Sequence, residues 1–212
     1  MITCAIKGGL GNQLFQILAV ICYALENNLP FKFQYTTSVP SITPRKSYWD
    51  TFLSSLKFFT YYEFKAPLAM VHHTQFSYAP LPEVADKDSH VCFNGYFQSW
   101  KYIEPRKQDI FRLLRISQQK EKLIKKHRQN LPHCAWNATS HTMKSAISIH
   151  FRLGDYKHLQ HTHPLMSREY YERALTHVLS QLPGEKHHAF CFGEAEDAEH
   201  IHAHYIQHLH SI

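Results

Sequence analysis

The chain has 212 residues, is 44% hydrophobic and carries a formal charge of +6. That length buries one good core and part of another, and the positive balance suits anions only loosely, since charge alone reports solubility and weak association. No nucleic-acid-binding motif accompanies the charge, and no segment reaches ~18 consecutive apolar residues, so no membrane-spanning helix is expected.

The first sixteen residues read Met1-Ile-Thr-Cys-Ala-Ile-Lys-Gly-Gly-Leu-Gly-Asn-Gln-Leu-Phe-Gln16. Ile2, Cys4 and Ile6 alternate as a strand, and a turn with Gly8, Gly9 and Gly11 follows. Leu14, Phe15, Leu18, Ile21, Cys22 and Leu25 then recur at helical spacing, which predicts a helix with one buried stripe. Asn27-Asn28 and Pro30 stop that helix, and Leu29, Phe31, Phe33 and Tyr35 alternate as the next strand. The glycine turn departs from the dinucleotide fingerprint, because Leu14 stands in the third glycine position. Amides at the start of the helix can still face an anion or a sugar hydroxyl. Glycine turns before helices are also common for steric reasons alone.

Prolines at 40, 44, 67, 80 and 82 mark loops in the middle of this first region. Lys120 to Arg128 reads as a basic helix with Leu123 and Ile124 turned inward, chiefly a solvated face. Leu131 to Thr142 is polar and turn-rich and reads as a crossing between domains, with the boundary between residues 1–140 and 141–212 inside it.

The block Ala146-Ile-Ser-Ile-His-Phe-Arg-Leu-Gly-Asp-Tyr156 carries the most chemistry. Ile147, Ile149 and Phe151 alternate with Ser148, His150 and Arg152, so His150 and Arg152 share one strand face. An arginine fork at a strand's C-terminal end suits a phosphate or carboxylate. An Arg152–Asp155 ion pair that only ties down the loop explains the spacing equally well. Ser167 can cap a following helix, in which Tyr171, Ala174, Leu175, Val178 and Leu179 form a buried stripe. Pro183-Gly184 turns the chain into a strand at 187–192. In the tail, His204 and His208 stand at i, i+4 on a helix, a spacing that can share a metal, although the tail lacks cysteines or a fixed carboxylate partner. The odd number of cysteines, five, is widely scattered and favours reduced, mostly buried thiols.

Gly8-Gly-Leu-Gly-Asn-Gln-Leu-Phe-Gln16 and His150-Phe-Arg-Leu-Gly-Asp-Tyr156 together resemble the two motifs of glycosyltransferase family 11, the α-1,2-fucosyltransferases. Tyr48-Trp-Asp-Thr-Phe52, Asn94-Gly-Tyr-Phe-Gln-Ser-Trp100 and His163-Pro-Leu-Met-Ser-Arg-Glu-Tyr-Tyr171 extend the resemblance to about residue 192. It implies an α/β fold of the GT-B type, two Rossmann-like domains facing across a cleft, with residues 1–140 on the acceptor side and 141–212 a partial donor domain. It implies inverting transfer of fucose from GDP-fucose to the 2-hydroxyl of a terminal galactose on a glycan, without a metal ion or other cofactor. Arg152 would then hold the diphosphate, Asp155 and Asn12 would complete the catalytic set, and Gly9, Gly11 and His150 would join the donor site. Where many relatives carry a second arginine, this chain has Leu153. Gly193 to Glu199 is a loose version of the family's acidic segment, and no Ser/Trp-rich segment follows it. The alternative expectation is an impaired or inactive descendant that binds nucleotide sugar or glycan weakly. A cytoplasmic location is expected, with peripheral membrane association left open.

Overall fold

The computed structural model describes residues 1–41, 44–63, 68–75, 77–84, 89–127, 136–137, 142–143, 146–182 and 187–209. The chain divides into two units, Met1–Lys126 and His127–Ile212. Both are mixed α/β, with helices and small parallel sheets. The domain boundary drawn at 140/141, most of the crossing segment, Pro67, Arg128, Cys134, Pro183-Gly184 and His210 lie outside the described residues.

In the first unit, β1 (Ile2–Cys4) leads through the glycine turn into α1 (Leu10–Glu26). Asn27 caps the end of α1, its backbone N–H and its side-chain amide both donating to the Tyr23 carbonyl. Asn28 follows at φ +52°, a left-handed step that asparagine tolerates better than most residues. The expected strand after it is reduced to β2 (Phe33–Gln34) and a parallel bridge between Ile2 and Phe31. β2 pairs in parallel with β5 (Thr60–Tyr61), which lies beyond the short antiparallel pair β3 (Ser38–Val39) and β4 (Arg45–Lys46). β6 (Ala69–His72) and β7 (Val91–Asn94) complete a parallel three-stranded sheet in the order β1-β7-β6. Two further helices, α2 (Lys107–Leu113) and α3 (Ile116–His127), end the unit.

The core of this unit gathers both sides of α1. Ile17, Val20, Ile21 and Ala24 are fully buried, and they meet Phe33, Trp49, Leu56 and Phe93 from the sheets and loops. Each Val, Leu, Ile or Phe side chain among them contributes about 1.5–3 kcal/mol on burial. The predicted stripe is therefore too narrow. Leu14, Phe15 and Leu25 are only half-buried, whereas the polar Gln13 and Gln16 are buried. On α3, Ile124 is half-buried but Leu123 is 54% exposed, so the second inward residue expected there faces out.

In the second unit, β8 (Trp136–Asn137) and β9 (Thr142–Met143) form an antiparallel pair. β10 (Ala146–His150) runs parallel to β11 (His188–Phe192), with α4 (Arg168–Gln181) between them in sequence. The Ser167 hydroxyl accepts from the Tyr170 N–H and caps α4 as its sequence position predicts. The expected stripe on α4 is half-buried at Tyr171, Ala174, Leu175 and Leu179, and Val178 is exposed. The buried cluster is instead Phe151, Leu153, Ile201 and Tyr205. Its last two members lie on a helical stretch that runs Ala198–Ile201, passes through a π turn at His202–Ile206 and ends at Gln207–Leu209.

Candidate functional site

β10 ends at His150, and the next backbone bond still belongs to the sheet, the Phe151 N–H donating to the Phe192 carbonyl at 2.8 Å. Phe151 and Leu153 then turn inward and leave Arg152 on the outer side of the strand end. Gly154 follows at φ +42°, a conformation that disfavours any side chain. A Cβ there would also meet the Glu194 Cγ at 3.2 Å. Glycine suits this position best, and the turn it makes brings Asp155 and Tyr156 back beneath the arginine.

The Arg152 guanidinium is held on three sides. It donates to the Asp155 carboxylate at 2.9 Å and to the Glu194 carboxylate at 3.4 Å, and it lies over the Tyr156 ring at 4.5 Å. Tyr156 in turn stacks on His163, with 4.6 Å between ring centres and 14° between planes. The Arg152 side chain stays 39% exposed, enough to meet a ligand from solvent. Behind it, Asp197 is 3% exposed and accepts from the Gly154 N–H at 2.8 Å and from Lys157 at 2.5 Å. The Lys157 ammonium, helped by the Gly154 amide, holds the Asp197 carboxyl below the usual carboxylate range. A depressed carboxyl stabilises the fold at pH values above its unfolded value of about 4, and that stability is lost as pH falls through the folded value. The stability of Asp197→Asn, measured by urea unfolding and followed by intrinsic fluorescence, should depend less on pH below about 4 than the parent's. Identical acid limbs for the two proteins would show that Asp197 carries no such linkage.

The expected site residues are divided between the two units, Arg152, Asp155 and His150 in the second and Asn12, Gly9 and Gly11 in the first. Arg152 and Asp155 meet, whereas the His150 ring is exposed and makes no hydrogen bond or ion pair among the described residues. The His150 carbonyl accepts from the Tyr171 hydroxyl at 3.4 Å. Leu153 is buried at 3% exposure, so its side chain does not face the arginine's surroundings. Glu194, Tyr156, His163, Lys157 and Asp197 join the site without having been singled out as its members. Only the acidic character of 193–199 and the tyrosine of the His150–Tyr156 motif pointed toward any of them.

Asn12, Gly9 and Gly11 belong to the first unit, at the start of α1. Gly9 is the N-cap in extended conformation, and no side chain caps the helix, so its first amides keep their donors for solvent or a ligand. A Cβ on Gly9 or Gly11 would meet nothing within 4 Å. The glycine that the turn requires is Gly8, at φ +82°, where a Cβ would approach the Asn12 Nδ2 to 2.6 Å. Gln98 donates to the Asn12 Oδ1 at 2.7 Å, and Lys7 donates to Asn94 at 3.1 Å while lying over Tyr96 at 4.7 Å. These groups sit at the C-terminal ends of β1 and β7, the usual ligand edge of a parallel sheet. Gln13 donates to the Gly8 and Lys46 carbonyls, and Gln16 exchanges hydrogen bonds with the Lys7 backbone. Two buried amides thus fix the turn and the helix start together.

The histidine tail passes through a π turn at His202–Ile206, and the rings of His200 and His204, four positions apart, approach at 4.2 Å. Among the described residues no group of three or more His, Cys, Asp or Glu side chains is placed to hold a metal. Cys4, Cys22 and Cys92 are buried free thiols, and Cys191 is free and exposed. No helix among the described residues is long and apolar enough to cross a membrane.

No family model, curated protein or solved structure matches this chain.

Proposed function

We propose that the chain is an inverting glycosyltransferase of the α-1,2-fucosyltransferase type, taking fucose from GDP-fucose to the 2-hydroxyl of a terminal galactose. The supporting observation is Arg152, a half-exposed guanidinium laid on Tyr156 at the end of a parallel strand pair. Such a fork suits the two phosphates of a nucleotide sugar and can offset charge developing on the departing GDP. In this reading the units are the two halves of a GT-B fold working in the cytoplasm. Gly9, Gly11 and Asn12, from the acceptor-side unit, join the donor site, Asn12 near the reacting hydroxyl, and Asp155 orients Arg152 or takes the acceptor proton. His150 lies beside the donor.

A second reading has its own support. Asp155 and Glu194 already occupy part of the fork, which favours a descendant that binds nucleotide sugar weakly without brisk transfer. Calorimetry with GDP and GDP-fucose, combined with a transfer assay on a galactose-terminated oligosaccharide, separates the two. Turnover supports the enzyme, and binding without turnover supports the weak binder. No binding of either nucleotide sinks both. Binding should survive EDTA, because Arg152 rather than a cation is proposed to meet the diphosphate. The sequence holds one Asp-x-Asp triplet, Asp86-Lys87-Asp88, outside the described residues, and loss of binding on chelation would turn attention to it.

Glu194 supplies a sharper check. It is 53% exposed and holds Arg152 at the longer of the two distances, so a diphosphate would displace it before Asp155. Exposed pairs are worth about 0–1 kcal/mol, so Glu194→Gln should tighten GDP binding by up to about fivefold. Unchanged or weaker binding would mean that GDP does not compete for this fork.

A further inference from the structure

We infer that the first unit carries a separate site for a single-chain anionic amphiphile, taken up as a free monomer. A groove of about 810 Å³ lies between the 3-10 turn at Ser54–Phe59 and the α2–α3 junction. Its walls are Tyr48, Phe52, Phe58, Leu114 and Leu123, and Phe58 is 89% exposed beside it. The size falls in the usual range for small-molecule sites, and apolar walls with a few placed polar groups are their usual lining. Arg115 and Lys122 stand at the groove, and no carboxylate lines it. Neither cation has an ion-pair or hydrogen-bond partner among the described residues. Apolar walls and two uncompensated positive charges match a molecule with an alkyl body and one anionic head, a carboxylate or a phosphate.

A further observation points the same way. Arg115 sits at φ +52°, a conformation costly for a residue with a Cβ. The structure thus keeps an arginine where a glycine would be easier, at the junction that presents its side chain to the groove.

The test uses the full chain and dodecanoate below its micelle concentration, with dodecanol and dodecyltrimethylammonium as neutral and cationic controls. Saturable binding of one dodecanoate per chain is expected, with both controls about tenfold weaker or worse. Arg115→Gly suits the backbone at that position, so it removes the charge without threatening the fold, and it should weaken dodecanoate about tenfold while leaving dodecanol unchanged. Phe58→Ser, at an exposed position, should weaken dodecanoate and dodecanol alike. Uptake of many molecules per chain, equal for all three head groups or indifferent to both variants, would overturn the inference. Binding to phosphatidylglycerol vesicles without binding of monomeric dodecanoate would also overturn it, in favour of a membrane-facing surface.

Discussion

Replacing Arg152 with alanine is expected to lower GDP affinity by about tenfold or more, since a charged hydrogen bond is worth about 1.5–3 kcal/mol. The fold should survive the change. Its two carboxylate partners, Asp155 and Glu194, are 33% and 53% exposed and return to water when the arginine leaves. Calorimetry with GDP reads the affinity, and a thermal melt read alongside it checks the fold. Arg152→Lys should recover only part of the loss, because an ammonium meets the phosphates as a point charge and loses both the planar fork and the ring contact with Tyr156. An alanine variant that binds GDP like the parent would leave Arg152 as no more than a strand-end ion pair.

A larger loss of stability is expected from Phe151→Ala. Phe151 is 1% exposed and touches Tyr171 and Tyr205, with ring centres 4.6 Å and 5.2 Å away. Removing such a ring typically costs about 3–5 kcal/mol. The buried cluster of the second unit comprises Phe151, Leu153, Ile201 and Tyr205, so little apolar contact is left to absorb the loss. Hydrogen exchange should show the β10 and β11 amides losing protection. Phe58→Ala is the control, because its ring is 89% exposed and its removal should change stability by no more than about 0.5 kcal/mol. Retained protection in β10 and β11 of the Phe151 variant would mean that the packing of this unit does not rest on that ring.

The parts of this molecule that were legible in the sequence are those set by short-range pattern. The β1–turn–α1 passage, the stop at Asn27, the two faces of residues 146–150 and the Ser167 cap all follow from spacing and local chemistry. The Arg152–Asp155 contact belongs with them, since only three residues separate the pair. What stayed hidden depends on distant partners. Gln13 reads as a surface residue until the Lys46 carbonyl, 33 positions away, satisfies its amide. Glu194 and Asp197 reach the Arg152 loop from more than 40 positions downstream, through the pairing of β10 with β11. The outward Leu123 and the π turn at 202–206 likewise answer to packing and helix irregularity, which periodicity in one sequence does not encode.

Leu153 limits how the Arg152 end could be re-engineered. It is packed at 3% exposure with Phe151, Ile201 and Tyr205, so a guanidinium written into that position would enter an apolar pocket. An ionised group buried without a partner costs several kcal/mol, more than one added phosphate contact returns. Extra positive charge for an anionic ligand therefore has to come from the rim, where Glu194, Tyr156 and His163 surround the exposed part of the fork. In this loop the inward and outward positions alternate so tightly that the second cation and the core residue exclude each other.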